Sequence, residues 1–266
     1  MGTSLKSRVF RFVSINMWGV LPAITQRGIS RVYANFYNKK WSRHIIAPYC
    51  KMHYDDPEYL KLFKPASGAD TYQSFQDFFT RVYKELPKMT SEFVWACEGL
   101  FCDYGRVKDL REIKIKGQKK HLRTVFGEAS DEIPDEYYFS NIFLHNNNYH
   151  RIHTPIDGTI SRIEHIPGEL VLLRPWAYKD PSLPALRNER VNVDITDKAG
   201  RKWYLSIVGG PAVASIVMAS GMKVGTTVSM GQEIGTFLLG STFCLASPVP
   251  VTNNKIGDQV FLGDPY

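Results

Sequence analysis

The chain has only four cysteines, Cys50, Cys97, Cys102 and Cys244, and no two form a CxxC pair. That leaves no zinc knuckle and no thioredoxin-type redox motif, and reduced thiols are expected. Asp and Glu are missing altogether from residues 1–54, which hold nine Lys and Arg (Lys6, Arg8, Arg11, Arg27, Arg31, Lys39, Lys40, Arg43, Lys51). The other residues carry 24 basic and 26 acidic side chains, so the whole excess behind the net charge of +7 sits in this N-terminal fifth. The same fifth lacks a membrane span. Its longest uncharged run, Phe12 to Gln26, has 15 residues and contains Ser14, Asn16, Gly19 and Pro22, against the roughly 20 apolar residues a crossing needs. No small-residue cleavage site comes after it, which argues against a signal peptide. Lys6 stands where a myristoylated Met1-Gly2 start wants Ser or Thr. No nucleic-acid motif accompanies the positive charge, so no nucleic acid is expected as partner. A GxSxG nucleophile elbow is absent around Ser241, because Leu239 and Phe243 occupy its glycine positions. Nor does any Cys or carboxylate complete a familiar ligand spacing with His145, His150 and His153, so no metal is expected.

What is present is an apolar fraction of 44% in 266 residues, enough for one large or two small domains. Leu5, Val9, Phe12, Val13, Met17 and Val20 follow helical spacing, as do Ile29, Val32, Tyr33, Phe36 and Tyr37. Basic helices with Trp18 and Trp41 fit docking on an anionic membrane surface; a helical cap folded onto the domain is the alternative. Tyr54 to Ala69 reads as a linker, Phe75 to Arg81 as a short helix, and Lys108 to Pro134 as a charged surface excursion. From Phe93 onward short strands alternate with Gly-containing turns. Gly225-x-x-Val228-x-x-Gly231 recurs 32 residues later as Gly257-x-x-Val260-x-x-Gly263, which suits a pseudo-symmetric barrel or sandwich. The fold class expected is α+β: a basic helical region over residues 1–54, then a β-rich catalytic domain over 55–266.

Four segments carry chemistry. Leu239-Gly240-Ser241-Thr242 interrupts an apolar β-segment with one Gly-Ser bond, and Tyr149-His150-Arg151-Ile152-His153-Thr154-Pro155 offers two histidines. Ala185 to Val191 (ALRNERV) and Val208-Gly209-Gly210 complete the set. Gly240 has no Cβ, so its carbonyl is open to close approach. Ser241 is a weak nucleophile that needs a base, usually a histidine oriented by a carboxylate. In this order the four segments resemble the phosphatidylserine decarboxylases, over about Tyr72 to Gly263. The resemblance implies attack of the Ser241 hydroxyl on the Gly240 carbonyl, an N-to-O acyl shift to an ester, β-elimination to dehydroalanine and hydrolysis to a pyruvoyl group. The products are a β chain of residues 1–240 and an α chain of 241–266 capped by pyruvoyl, a covalent cofactor made from Ser241 that takes up a substrate amine and accepts electrons as CO₂ leaves.

The resemblance further implies His153 as base for self-cleavage and His150 as acid/base in decarboxylation, two roles that exchange more readily than either residue drops out. One position departs from the family: Glu98-Gly99 stands where an Asp-Gly pair is usual, with Gly105 in place beyond it. Glu98 is thus the expected orienting acid, and Asp157 the nearest alternative. The expected reaction turns phosphatidylserine into phosphatidylethanolamine and CO₂ at a bacterial inner or organelle membrane, on a peripheral, non-secreted protein whose two cut chains stay together and which associates into homo-oligomers. Decarboxylation of a soluble amino acid, or an unprocessed membrane-binding paralogue, are the alternatives.

Overall fold

The architecture is known from a computed structural model that describes residues 5–210, 216–238 and 240–266. Met1 and Gly2, Leu239 of the Gly-Ser step, and the side chains of Arg27 and Tyr33 lie outside the described residues. Helices α1 (Leu5–Phe12), α2 (Ala23–Asn38), α3 (Ile46–His53) and α4 (Pro57–Lys61) come first, α1 running on through a π-helical stretch, Val13–Trp18. Strand β1 (Phe63–Lys64), helix α5 (Phe75–Phe79) and strand β2 (Val82–Tyr83) come next. The two short helices begin at caps. Asp56 accepts from the Glu58 amide at 2.8 Å and Ser74 Oγ from the Asp77 amide at 3.1 Å, filling donors that a helix start leaves open.

The strands after Phe93 are β3 (Gly99–Arg106), β4 (Glu112–Ile115), β5 (Gln118–His121), β6 (Tyr138–Leu144), β7 (Arg151–His153), β8 (Gly158–Ile166), β9 (Arg190–Asp197), β10 (Lys202–Gly209), β11 (Ile216–Met218), β12 (Thr227–Val228), β13 (Glu233–Phe237), β14 (Ser241–Ser247) and β15 (Gln259–Val260); helix α6 (Leu183–Arg187) lies between β8 and β9. Eight strands form one sheet in the order β12-β8-β9-β10-β14-β6-β3-β15, and β11-β13-β7 form a smaller one. Every residue of β14 is buried, because both faces of the large sheet are covered. Phe243 and Leu245 join Ile152, Ile234 and Phe237 of the small sheet, while Cys244 and Ala246 join Val125, Phe126 and α6 on the other side. The period-2 alternation of a strand separates the two sets.

The sequence echo is a structural two-fold. Val228 of β12 pairs with Gly158 of β8, and Val260 of β15 with Gly99 of β3, on opposite edges of the same sheet. Gly225 N donates to Ile160 O and Gly257 N to Phe101 O, each at 2.8 Å. Both β3 and β8 shift register at matching points, Phe101/Asp103 and Ile160/Arg162. Glu98 and Asp157 therefore hold equivalent positions, one residue ahead of the paired glycine. The α+β class holds, but the barrel does not: β12 and β15 remain separate edges among the described residues, and the second layer is a separate small sheet.

Two other expectations change. The stretch Tyr54 to Ala69 is not a plain linker, since α4 and β1 lie in it and β1 pairs with β2. Lys108 to Pro134 is a surface excursion only through the hairpin β4–β5; Leu122, Val125, Phe126 and Ala129 are core, because apolar residues at 3₁₀ spacing cover one face of the sheet. The N-terminal helices also turn their faces opposite to those of an ordinary surface helix. Ser7, Ser14, Gln26, Ser30 and Ser42 are buried, whereas Leu5 is 77% exposed, Met17 58%, Ile24 80% and Val32 69%. The apolar stripe faces outward. Tyr37, Ile45 and Tyr49 nonetheless pack on Phe75 and Phe78 of α5, so this region shares a core with the start of the catalytic part.

A Cβ on Gly99 would meet Phe143 O at 2.5 Å and one on Gly158 would meet Thr196 O at 2.5 Å. Gly99→Ala and Gly158→Ala should therefore each destabilise the chain by a similar amount, about 1–3 kcal/mol. The urea midpoint of uncut protein checks this, and a loss at one glycine only would show the two halves to be packed differently.

Candidate active site

Ser241 opens β14, with Gly209 of β10 opposite on one side and Leu144 of β6 on the other. Gly240 has φ +46°, a left-handed conformation that costs an L side chain free energy and that glycine adopts freely. Ser241 is wholly buried and its Oγ has no hydrogen-bond partner among the described residues. Leaving a buried hydroxyl unmatched costs about 1–3 kcal/mol, so this atom is held free rather than used to hold the fold. Two of the recognised segments meet beside it. Asn188, within ALRNERV, donates through Nδ2 to Gly209 O at 2.9 Å and to Val171 O at 2.9 Å, and Glu189 O accepts from Gly209 N. That segment positions the strand next to Ser241.

His150 just precedes β7, and its carbonyl accepts from Phe237 N at 2.8 Å, four residues before Ser241. His150 Nδ1 lies 2.8 Å from Asn148 O. A carbonyl only accepts, so the proton is on Nδ1 and the lone pair on Nε2. Nε2, like Ser241 Oγ, is buried and has no hydrogen-bond partner among the described residues. Burial, with the Arg81 charge behind it, pushes the pKa of His150 down to about 3 and keeps the ring neutral; the Phe79 ring lies 3.9 Å from it. His150 shares strand parity with Ile152, which joins the same core cluster as Phe243 and Leu245, the residues that share parity with Ser241.

His153 is also buried, and burial lowers its pKa. Its Nδ1 donates to Gly231 O at 2.7 Å, and its Nε2 accepts from Tyr149 OH at 3.0 Å. Glu98 bonds neither imidazole. Its Oε2 accepts from Tyr59 OH at 2.5 Å and from Tyr149 N at 3.3 Å, and its Oε1 accepts from Tyr83 OH. Burial raises its pKa, opposed by those hydrogen bonds and by the positive charge of Arg81. Tyr149 thus touches both groups, Glu98 by its amide and His153 by its phenol. His145 turns its ring onto Phe143 instead, 4.7 Å between centroids, and no metal-holding group of three His, Cys, Asp or Glu forms among the described residues.

Asp157, the pseudo-symmetric counterpart of Glu98, bonds Lys198 Nζ at 2.7 Å and Met230 N at 2.8 Å near the surface. Sequence reasoning misses Tyr59, Arg81 and Tyr83. Arg81 is fully buried on the carbonyls of Asn147 and Asn148, at 2.8 and 3.0 Å, where it braces the turn leading to His150. The signal hardest to see is Tyr59, inside an apparent linker. A cleft of about 500 Å³ lined by His53, Tyr54, Tyr59, His145, Asn148 and Phe261 opens next to this cluster.

The sequence profile of the phosphatidylserine decarboxylases matches residues 75–266, which includes Glu98, both histidines and the Gly240-Ser241 bond. The chain belongs to the phosphatidylserine decarboxylase family. It is 33% identical over 202 residues to the phosphatidylserine decarboxylase proenzyme of Shewanella sp. (strain ANA-3), covering 66% of this chain and 68% of that protein. It is 29% identical over 199 residues to the proenzyme of Psychrobacter arcticus, covering 67% and 70%. Residues 1–74, with the outward apolar face, lie outside the family match.

A histidine whose folded pKa is depressed binds its proton more readily in the unfolded chain, so its stabilisation is lost as pH falls below the unfolded value near 6.5. For His150 that window runs from about 6.5 to about 3, and His153 shifts in the same direction. Glu98, with a raised pKa, works oppositely above the usual carboxylate range. Uncut protein should therefore lose stability between pH 6.5 and 5, with His150 contributing up to about 1.4 kcal/mol per pH unit. Urea midpoints across this range should flatten in His150→Asn; an unaltered slope would show that His150 is not held neutral.

Proposed function

We propose that this chain is a proenzyme that cuts itself between Gly240 and Ser241 and then decarboxylates phosphatidylserine at a membrane surface. The observation that carries the reading is the free, fully buried Ser241 Oγ behind a left-handed Gly240, at the start of a strand paired on both sides. The family relatives' name, proenzyme, supports processing. The site fits a pyruvoyl group, since that group would replace the Ser241 side chain where the facing residue, Gly209, has no Cβ. When present it supplies an electron-accepting ketone for amine-bearing substrates. His150, on the same layer as Ser241, has its bare Nε2 placed to take the proton that the substrate's ammonium loses and to return it to the carbon left as CO₂ departs. His153 is assigned to deprotonate Ser241, with Tyr149 holding its Nε2 in the uncut chain and Glu98 setting the local charge. Catalytic hydrogen bonds commonly tighten only along the reaction. A second arrangement, in which His150 serves both steps, is favoured by its bare Nε2.

Ser241→Ala should leave one uncut 266-residue chain without activity. His153→Ala should block cleavage, while His150→Ala should cut and then turn over poorly; failure of His150→Ala to cut would move the base to His150. Glu98→Gln should slow cleavage, by up to about 10⁴ in the serine-protease precedent, and Glu98→Asp should retain it. Cleavage of Glu98→Gln at the normal rate would make Glu98 a structural residue. Intact mass of each variant, with CO₂ release from phosphatidylserine, reads all of these outcomes.

For the membrane, the support is a basic helical segment whose apolar face points outward. No described helix is long and apolar enough to cross, so the contact proposed is peripheral, with residues 1–54 as the docking region and 55–266 as the catalytic one. Trp18 does not serve as an insertion anchor, since its indole N–H donates to Leu170 O at 2.5 Å; Phe12, Met17 and Phe36 do. Replacing Phe12, Met17 and Val32 together by Ser should weaken binding to anionic vesicles at least about tenfold, because each such side chain contributes about 1.5–3 kcal/mol when fully buried. Self-cleavage should be unchanged. Binding of the parent should also fall with salt, as Lys and Arg attraction to the surface is screened. Equal co-sedimentation of variant and parent would move the membrane contact to another face.

A further inference from the structure

The arginines of the catalytic part are nearly all accounted for. Arg111, Arg123, Arg151, Arg162, Arg187 and Arg201 pair with carboxylates. Arg81 and Arg190 are buried on backbone carbonyls, and Arg106 lies exposed against Tyr138. Arg174 differs. It is half-buried, no carboxylate pairs with it among the described residues, and it makes one hydrogen bond, from Nη1 to Leu173 O at 3.1 Å. A guanidinium has five N–H donors, and none of the unused ones is sealed from solvent. Burial without a counter-charge disfavours its cationic form, a cost that a bound anion would offset.

Its place in the fold suggests which anion. Arg174 lies in the segment that the N-terminal helices grip: Trp18 donates to Leu170 O, Gln26 Oε1 accepts from Leu170 N at 2.9 Å, and Ser14 Oγ meets Tyr178 OH at 2.8 Å. Two residues on, Trp176 is 43% exposed and packs on Phe10 of α1, 5.6 Å between centroids, at the rim of the outward apolar face. On the other side, Asn188 Oδ1 accepts from Val171 N at 2.8 Å, three residues before Arg174, and Asn188 Nδ2 donates to the carbonyl of Gly209, the residue opposite Ser241. An unpaired arginine thus lies in the segment that joins the outward apolar face to the strand beside Ser241.

We propose that Arg174 forms the anion subsite that takes the phosphodiester of the substrate headgroup. This rests on the decarboxylase reading above and adds a residue that determines specificity for a phospholipid over a free amino acid. Arginine suits the role because its planar fork matches two phosphate oxygens at once.

The test uses full-length protein carrying Ser241→Ala, so that nothing turns over, and calorimetric titration with glycerophosphoserine, inorganic phosphate and serine. Glycerophosphoserine should bind, serine should not, and Arg174→Gln should weaken glycerophosphoserine about tenfold to a hundredfold, as expected for lost charged hydrogen bonds. Arg174→Lys should fall between them. Gel cleavage of Arg174→Gln in the natural Ser241 background reports its folding; should that variant fail to fold, binding by Arg174→Lys equal to the parent's overturns the proposal. Undiminished binding by Arg174→Gln overturns it directly. Inorganic phosphate binding as tightly as glycerophosphoserine overturns the headgroup as the source of the anion. Because binding is read on an inert chain, it is separate from turnover: a natural chain that releases no CO₂ from phosphatidylserine removes the decarboxylase reading and leaves the Arg174 result standing.

Discussion

Strand β14, clamped along both edges and on both faces, is the constraint behind the site. It is paired from Ser241 to Ala246 with β10 and from Ser241 to Ser247 with β6, and it is buried throughout. A bond at the start of such a strand can be broken without releasing residues 241–266, because the cross-strand hydrogen bonds and the buried apolar side chains still hold them in place. The same confinement strips water from Ser241. The constraint that would keep the two chains of a cut protein together is therefore also the one that leaves Ser241 Oγ buried and, among the described residues, unpartnered.

The internal two-fold makes the local asymmetry informative. Glu98 and Asp157 occupy matching positions before matching glycines, yet one is buried and the other bonds a surface lysine. Backbone geometry cannot account for that difference, since the registers agree. The cover does: α4, β1 and β2 lie over the Glu98 half and bring Tyr59 and Tyr83 onto its carboxylate. In this arrangement glutamate in place of aspartate is accommodated by two phenols and an amide, which take both of its oxygens and keep it off the imidazoles.

The N-terminal helices follow a second logic. Surface helices of water-soluble proteins usually bury their apolar stripe, but here serines and Gln26 face inward, and Ser14 and Gln26 make polar contacts with the segment around Leu170 and Tyr178. Leu5, Met17, Ile24 and Val32 of the outward face are left exposed, and exposed apolar area of this extent marks an interaction surface. The proposed docking face and the candidate site are joined through that segment, which carries Arg174.

Residue type and spacing along one chain were enough to establish the Gly240-Ser241 step, the two histidines, the placement of all excess charge before residue 55 and the repeated Gly-x-x-Val-x-x-Gly turns. They also carried the α+β class, since helical and strand periods are local. Long-range packing was needed to show that the sheet stays open, that Tyr59 comes from what reads as a linker, that Val125 and Phe126 are core, and that the helical stripe points outward. Hydrophobic period tells that a helix has an apolar face but not whether that face meets protein or solvent, and a hydrogen-bond partner far away in the chain leaves no periodic trace. Which nitrogen of His150 is bare, and which oxygens of Glu98 are taken, depend on contacts across 2 to 51 residues of sequence separation, so only the folded chain defines them.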